Sequence, residues 1–156
     1  MESNRLLNRL AWDIGNDTIE GLFLYDDPTE SFENAHNYLS QLMPWDHGDI
    51  IIFIYNLSPE DPIEVTYRAD QLQTGYDVIG AINTFYSRSV TREQLEQLLP
   101  DPENDMAQIN IIRNRRGILG GYTLADTLIG HREFMGLIPV EGRYGVYTVG
   151  TAYDEM

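Results

Sequence analysis

Residues 50–55 read Ile-Ile-Ile-Phe-Ile-Tyr, which is the longest uninterrupted apolar run of the chain. A run of this length is far too short to cross a membrane as a helix, which takes about 20 apolar residues. Isoleucine is β-branched and favours extended backbone, and apolar side chains at every position suit a strand that is covered on both faces. We therefore predict that residues 50–55 form the central strand of a sheet.

Sequence on the carboxyl side of this run predicts the neighbouring strands. Apolar and polar residues alternate over 63–68, which is typical of a half-buried strand. The stretches 134–138 and 144–149 are apolar and lie on either side of a Glu-Gly pair at 141–142. This arrangement predicts two more strands joined by a turn.

Two capping boxes mark the starts of helices. Thr74 with Asp77, and Thr91 with Gln94, have the required spacing, so we predict helices that begin at these two threonines. The other segments are assigned from periodicity and from turn residues. They are a helix over 2–12, a strand over 18–25, a helix over 30–43, an acidic loop over 101–105, a strand over 109–112, a basic turn over 113–117 and a helical turn over 124–128.

The order of these elements predicts the fold class. Strands and helices do not alternate strictly, and 156 residues is an ordinary length for one domain. We therefore expect a single α+β domain over residues 1–156, with a mixed or antiparallel sheet and three to four helices. Its core is predicted to be one contiguous apolar cluster. The members of that cluster are Ile51, Phe53, Val78, Ile82, Phe85, Leu95, Phe134 and Leu137.

The second half of the chain carries a series of short motifs. Residues 76–86 read Tyr-Asp-Val-Ile-Gly-Ala-Ile-Asn-Thr-Phe-Tyr. Further motifs are Ser-Val-Thr-Arg-Glu-Gln-Leu at 89–95, Tyr-Thr-Leu-Ala-Asp-Thr-Leu-Ile-Gly at 122–130, Phe-Met-Gly-Leu at 134–137 and Gly-Arg-Tyr-Gly-Val-Tyr at 142–147. Over residues 63–150 this order resembles an uncharacterised family of small α+β domains found in fungi and in large DNA viruses. The resemblance implies an α+β fold and, from its viral members, a virion component; it transfers no catalytic residues.

The composition excludes several chemistries. The chain has 25 acidic residues against ten arginines, a formal net charge of −15, and neither cysteine nor lysine. The lack of cysteine excludes disulfides, thiolate metal sites and cysteine nucleophiles, and the lack of lysine excludes Schiff bases and phosphate-loop lysines. The negative charge disfavours direct binding to nucleic-acid backbones or to anionic lipid.

The first residues predict where the protein is found. They lack the basic and apolar regions of a signal peptide. We therefore expect no membrane insertion and an intracellular location, cytoplasmic or nuclear, or a place in a virion.

Candidate catalytic and metal-binding residues are few. The histidines are His36, His47 and His131, and no pair of them has the spacing of a zinc-binding helix. The sequence Asp-His-Gly-Asp at 46–49 offers possible metal ligands, but it is also ordinary turn chemistry. Neither a Ser-His-Asp order nor a nucleophile elbow is present. We therefore predict no metal, no cofactor and no enzymatic activity.

One basic cluster stands out in this acidic chain. The stretch 107–125 contains no Asp or Glu, and it includes Arg113, Arg115, Arg116 and Tyr122. An arginine pairs bidentately with carboxylates, so the cluster fits either an exposed turn that contacts a partner or an internal group of salt bridges. A phosphate or RNA contact by the glycine-rich loop that follows is a third interpretation. The prediction is an exposed turn at 113–117 with these four residues in a protein–protein contact.

These observations favour a non-enzymatic structural or protein-interaction protein. Ten tyrosines suit interfaces, and the partner is expected to be another protein or further copies of the same chain. One alternative is an acidic inhibitor or DNA mimic that binds a basic surface. A second alternative is a binder of phosphate or of a small ligand that uses the loop Arg113–Gly121.

Overall fold

A mixed four-stranded sheet organises the chain. The structure is a computed structural model and describes residues 5–14, 22–24, 32–45, 49–57, 62–129 and 132–152. Its strands are β1 Leu10–Ala11, β2 Phe23–Leu24, β3 Ile50–Asn56, β4 Pro62–Arg68, β5 Glu133–Pro139 and β6 Val146–Ala152. Its helices are α1 Phe32–Leu39, α2 Gly75–Tyr86, α3 Arg92–Leu98 and α4 Pro102–Arg116, with short 3-10 helices at Ala69–Gln71 and Leu124–Leu128. The α+β class is therefore confirmed.

The order of the strands is β4-β3-β6-β5. Strand β3 pairs antiparallel with β4 and parallel with β6, and β5 pairs antiparallel with β6. The apolar run at 50–55 therefore has a strand on each side, as predicted. The short strands β1 and β2 form a separate antiparallel pair.

Both predicted capping boxes are present. The Thr74 hydroxyl accepts the Asp77 N–H at 3.3 Å, and the Thr91 hydroxyl accepts the Gln94 N–H at 3.1 Å. These bonds satisfy backbone donors that have no partner within the first turn of a helix. The starts of α2 and α3 are thus set by their local sequence.

The predicted core residues are all buried, but they fall into two clusters. The main cluster lies between the sheet and the helices and contains Ile51, Phe53, Val78, Ile82, Phe85, Phe134 and Leu137. Leu95 belongs to a second cluster with Leu99, Met106 and Ile109. The prediction of one contiguous core is therefore wrong for Leu95, because α3 packs its apolar side on α4.

Helix α4 replaces an acidic loop, a strand and a basic turn in the prediction for 101–117. Pro102 stands in its first turn, and Gly117 ends it with a left-handed φ of 69°. Acidic residues occupy the first turn and arginines the last, which complements the helix dipole. The prediction was wrong because the adjacent Ile111 and Ile112 suggested a strand.

The predicted helix over 2–12 is also wrong for the part of it that the structure describes. Residues 6–14 instead form an extended segment, which includes β1, along the outer edge of β5. Leu6 and Leu137 exchange backbone bonds of 2.9 and 2.8 Å, and the Phe134 N–H donates to Trp12 O at 2.9 Å. The leucines at 6, 7 and 10 thus serve a sheet edge rather than one face of a helix.

In the part of the chain that the structure describes, the helices pack on one face of the sheet and leave the other open. The main core takes Ile51, Phe53 and Tyr55 from β3, whose side chains point to the same face. The alternate residue Ile50 is 50% exposed, and Ile52 and Ile54 are half-buried outside both core clusters. The prediction that this run is covered on both faces is therefore wrong. No helix among the described residues is long and apolar enough to cross a membrane.

Candidate functional site

The predicted interaction residues lie at the carboxyl end of α4 and in the loop after it, but in different environments. Arg113 is buried, Arg116 is half-buried and Arg115 is exposed. Residues three apart in a helix lie on the same face, so Arg113 and Arg116 point inward together and Arg115 does not. The prediction of an exposed turn is therefore wrong for Arg113 and Arg116.

A single carboxylate, that of Asp126, holds two buried arginines. Its Oδ2 accepts Arg113 Nη1 at 3.0 Å, and its Oδ1 accepts Arg132 Nη2 at 2.6 Å. Asp126 and Arg132 are 0% and 1% exposed. Backbone carbonyls accept the other donors, with Gly120 O at 2.7 Å from Arg113 Nη2 and Ile129 O at 3.0 Å from Arg132 Nε. The cluster is therefore an internal salt-bridge network.

Arg116 makes a second internal ion pair. Its Nη1 donates to both carboxylate oxygens of Asp13, at 2.8 and 2.7 Å. Asp13 belongs to the segment along β5 and lies 103 residues away in sequence. This pair fastens the end of α4 to that segment.

Tyr122 is half-buried and packs its ring against the Arg113 guanidinium. Its ring centroid is 5.1 Å from Arg113 Cζ, and its hydroxyl donates to Asn110 Oδ1 at 2.9 Å. The internal interpretation, left open above, thus describes Arg113, Arg116 and Tyr122. Arg113 directs its donors to Asp126 and to carbonyls, so the loop that follows is not built around an anion.

The histidines give no metal site in the described residues. His36 lies on α1, where its Nδ1 is 2.7 Å from the Tyr76 hydroxyl. His47 and His131 lie outside the described residues, as does most of the stretch 46–49. Within the described ranges, no three His, Asp or Glu side chains come together as a metal site.

The open face of the sheet is a surface that sequence reasoning missed. We define it as Ile50, Ile52, Ile54, Thr66, Ile138 and Thr148; Val146, which pairs with Ile52, lies on the same face but is buried. Ile54 pairs with Thr148, which pairs with Ile138, so the three form a row across three strands. The residues of the four strands include only three charged ones, Glu64, Arg68 and Glu133.

Ion pairs reduce the charge at the rim of this face. Arg143 donates to both carboxylate oxygens of Glu64, at 3.0 and 3.3 Å. Hydrogen bonds from the guanidinium lower the pKa of Glu64, so the pair stays ionised at neutral pH. Arg68 pairs with Asp70 at 3.3 Å. The open face is therefore nearly neutral on a strongly acidic protein.

A groove follows β4 on the opposite side of the sheet, where β4 meets α2 and α3. It consists of two cavities of about 440 and 410 Å³ that share Val65, Phe85 and Arg88 in their walls. The alternation at 63–68 predicted a half-buried strand, but nothing in the sequence placed that strand at an edge of the sheet.

A tyrosine pair lies at the inner wall of this groove. The hydroxyl oxygens of Tyr55 and Tyr67 are 2.8 Å apart, and Tyr86 donates to Asn56 O at 3.1 Å. Burial raises the pKa of all three hydroxyls above the ordinary value of tyrosine.

No protein-family model, curated protein or solved structure matches this chain.

Proposed function

We propose that this protein is a non-enzymatic assembly protein that associates with a second copy of itself through the open face of its sheet. The observation that carries the proposal is the combination of low charge and exposed isoleucine on that face. With a net charge of −15, two copies repel wherever their acidic surfaces meet. The open face combines low net charge with exposed isoleucine, so two copies repel little there and gain apolar contact.

The dimensions of the face indicate a weak association. Strands about 4.8 Å apart, with residues that rise about 3.3 Å each, give a face of roughly 20 by 23 Å. That is on the order of 450 Å² for each copy, below the 800 Å² or so of a standard interface. We therefore expect a concentration-dependent dimer in which two sheets pack face to face, rather than an obligate one.

Other features fit an interaction role. Arg115 is exposed, and no ion pair of it occurs in the described part of the chain, so it stays a candidate contact for a further partner. The resemblance to a domain of large DNA viruses supports a virion component as the setting for such an assembly. The acidic-inhibitor and phosphate-binding alternatives gain no specific observation.

Sedimentation equilibrium at several protein concentrations tests the proposal. Ile50→Glu places a charge on the open face, and Ile111→Glu is the matched control, since Ile50 and Ile111 are 50% and 57% exposed. We expect Ile50→Glu to be monomeric, while the wild type and Ile111→Glu dimerise. A wild type that is monomeric even at about 1 mM, where binding weaker than about 4 kcal/mol goes undetected, would overturn the proposal.

A further inference from the structure

The outer edge of β4 presents backbone groups that lie toward solvent. The Ile52 N–H donates to Gly145 O on the β6 side, at 2.8 Å. Since successive residues of a strand turn their backbone groups to opposite sides, residues 51, 53 and 55 of β3 face β4. Their partners in β4 are residues 67, 65 and 63. The residues between these, Glu64 and Thr66, therefore direct their N–H and C=O groups outward.

The ends of β4 limit this edge to two donors. Pro62 has no N–H, and the Arg68 N–H already donates to Gln71 Oε1 at 2.9 Å. Within the described residues no strand or bridge pairs with the outer side of β4. Glu64 and Thr66 are two residues apart, which is the spacing at which an added strand exchanges bonds with an edge.

The groove beside this edge has room for side chains at regular intervals. One cavity reaches Tyr67 and Ala81, and the other reaches Ile63 and Leu98. Ile63 and Tyr67 are four positions apart along β4, a span of about 13 Å. An added strand has side chains on one face every two residues, about 6.6 Å apart. Residues i and i+4 of such a strand reach the two cavities, and residue i+2 lies at their junction.

The junction carries a cation. Arg88 lines both cavities, is exposed, and has its Cζ 5.7 Å from the centroid of the Phe85 ring. It makes no ion pair with any carboxylate in the described residues.

The rest of the groove is nearly uncharged. Among the described residues, its walls contain one acidic residue, Asp77, whose Oδ2 already accepts the backbone N–H groups of Gln73 and Thr74. Neutral polar residues make up the rim. They are Gln71, Thr84, Ser89, Gln94 and Gln97.

We propose that this groove binds an extended peptide segment of a partner protein, which pairs with β4 as a fifth strand and places a carboxylate on Arg88. The segment has the pattern apolar–x–acidic–x–apolar, with the apolar side chains in the two cavities. Main-chain bonds to Glu64 and Thr66 supply affinity, and the cavities and Arg88 supply specificity. The groove and the open face lie on different sides of the sheet, so either association can fail without the other.

Selection of a random ten-residue peptide library on the full chain tests the proposal. We expect enrichment of peptides with the acidic pattern. A synthetic peptide of the enriched sequence is then titrated into isotopically labelled protein. The backbone amides of Glu64 and Thr66 are expected to show the largest chemical-shift changes, because they gain hydrogen bonds. No enrichment, a basic central residue, or shifts elsewhere on the surface would overturn the proposal.

Variants separate the side-chain and main-chain parts of the proposal. Arg88→Glu should lower the affinity for the peptide about tenfold or more, as expected for an arginine at an interface. Arg9→Glu, a change of the same charge at an exposed site on the segment along β5, should leave the affinity unchanged. Thr66→Pro should abolish binding, since it removes an outward donor and no bond within the sheet. Equal affinity of wild type and Arg88→Glu, or a dimer in sedimentation that Arg88→Glu dissociates, would contradict the peptide as the occupant.

Discussion

The two edges of the sheet are each formed by a strand of seven residues, yet they are finished in opposite ways. The edge at β5 is closed by the chain itself, because residues 6–14 bond to it along its length. The edge at β4 is left with two outward donors beside a groove. The unpaired backbone groups of an edge strand can pair with a strand of another chain, so the edge at β4 is suited to association and the edge at β5 is not.

The same chemical pair is used differently at the two edges. At β5, Arg132 and Asp126 are each 1% exposed, and their closest atoms are 2.6 Å apart. At β4, Arg68 and Asp70 are 68% and 66% exposed at 3.3 Å. Exposed pairs contribute little to stability, whereas removal of one partner of a buried pair leaves an uncompensated charge. The charge at the start of β5 is thus buried, whereas the charge at β4 is exposed.

The largest expected effect comes from the buried pair. Asp126→Asn should lower the free energy of unfolding by about 3–5 kcal/mol, because Arg113 and Arg132 lose their shared counter-charge. Asp70→Asn at the open edge should cost less than about 1 kcal/mol. Urea denaturation at pH 7 measures both. Equal midpoints for the two variants would show that the two edges do not differ in this respect.

A smaller effect is expected from the glycine that lets the covering segment approach β5. At Gly136 φ is +89°, and a Cβ there would lie 2.8 Å from Leu6 O. Gly136→Ala should therefore destabilise the protein by about 2–3 kcal/mol through strain and the displaced segment. Gly142 has a similar φ of +83° with nothing within 4 Å of its Cβ position, so Gly142→Ala should cost about 1 kcal/mol. Thermal unfolding of both variants measures the difference, and equal losses would contradict a close approach at β5.

The smallest expected effect is a pH dependence of stability that comes from the tyrosine pair beside the open edge. The raised pKa of Tyr55 means that the folded state disfavours the tyrosinate. This contribution to stability is complete below the ordinary tyrosine pKa of about 10 and is lost as the pH rises above it. Each such tyrosine adds a slope of up to about 1.4 kcal/mol per pH unit.

Tyr55→Phe should reduce this alkaline slope, and Tyr144→Phe, at a position that is 84% exposed, is the control. The free energy of unfolding is measured between pH 9 and about 11.5, a range that spans the ordinary tyrosine pKa, and its slope against pH is compared. Identical slopes in wild type and Tyr55→Phe would contradict the buried tyrosine pair.

Features set by neighbouring residues could be predicted from the sequence. The capping boxes at Thr74 and Thr91 act over three residues, and β3 is defined by its own isoleucines. Helix α4 could not be identified in the same way, because its mean hydropathy is low and few of its residues face the core. Its stability depends on charge at its ends and on the second cluster.

The candidate site required contacts that are distant in sequence. The sequence singles out the arginines of α4 but gives no sign of their partners: Asp13, which holds Arg116, is 103 residues away. The apolar residues at every position of 50–55 predict cover on both faces. Such a pattern indicates that a face avoids water, but it does not identify the element that covers it. In the proposed dimer, the cover is a second copy of the same face.

The closed edge also has a consequence for synthesis on the ribosome. Asp13 is made 103 residues before Arg116, which at 5–20 residues per second is a delay of roughly 5–20 s. During that interval Leu7, Leu10 and Trp12 have no sheet edge to cover, and they are available to chaperones on the nascent chain. The segment is therefore made before the edge that it covers, and it takes its place only after β5 has been made.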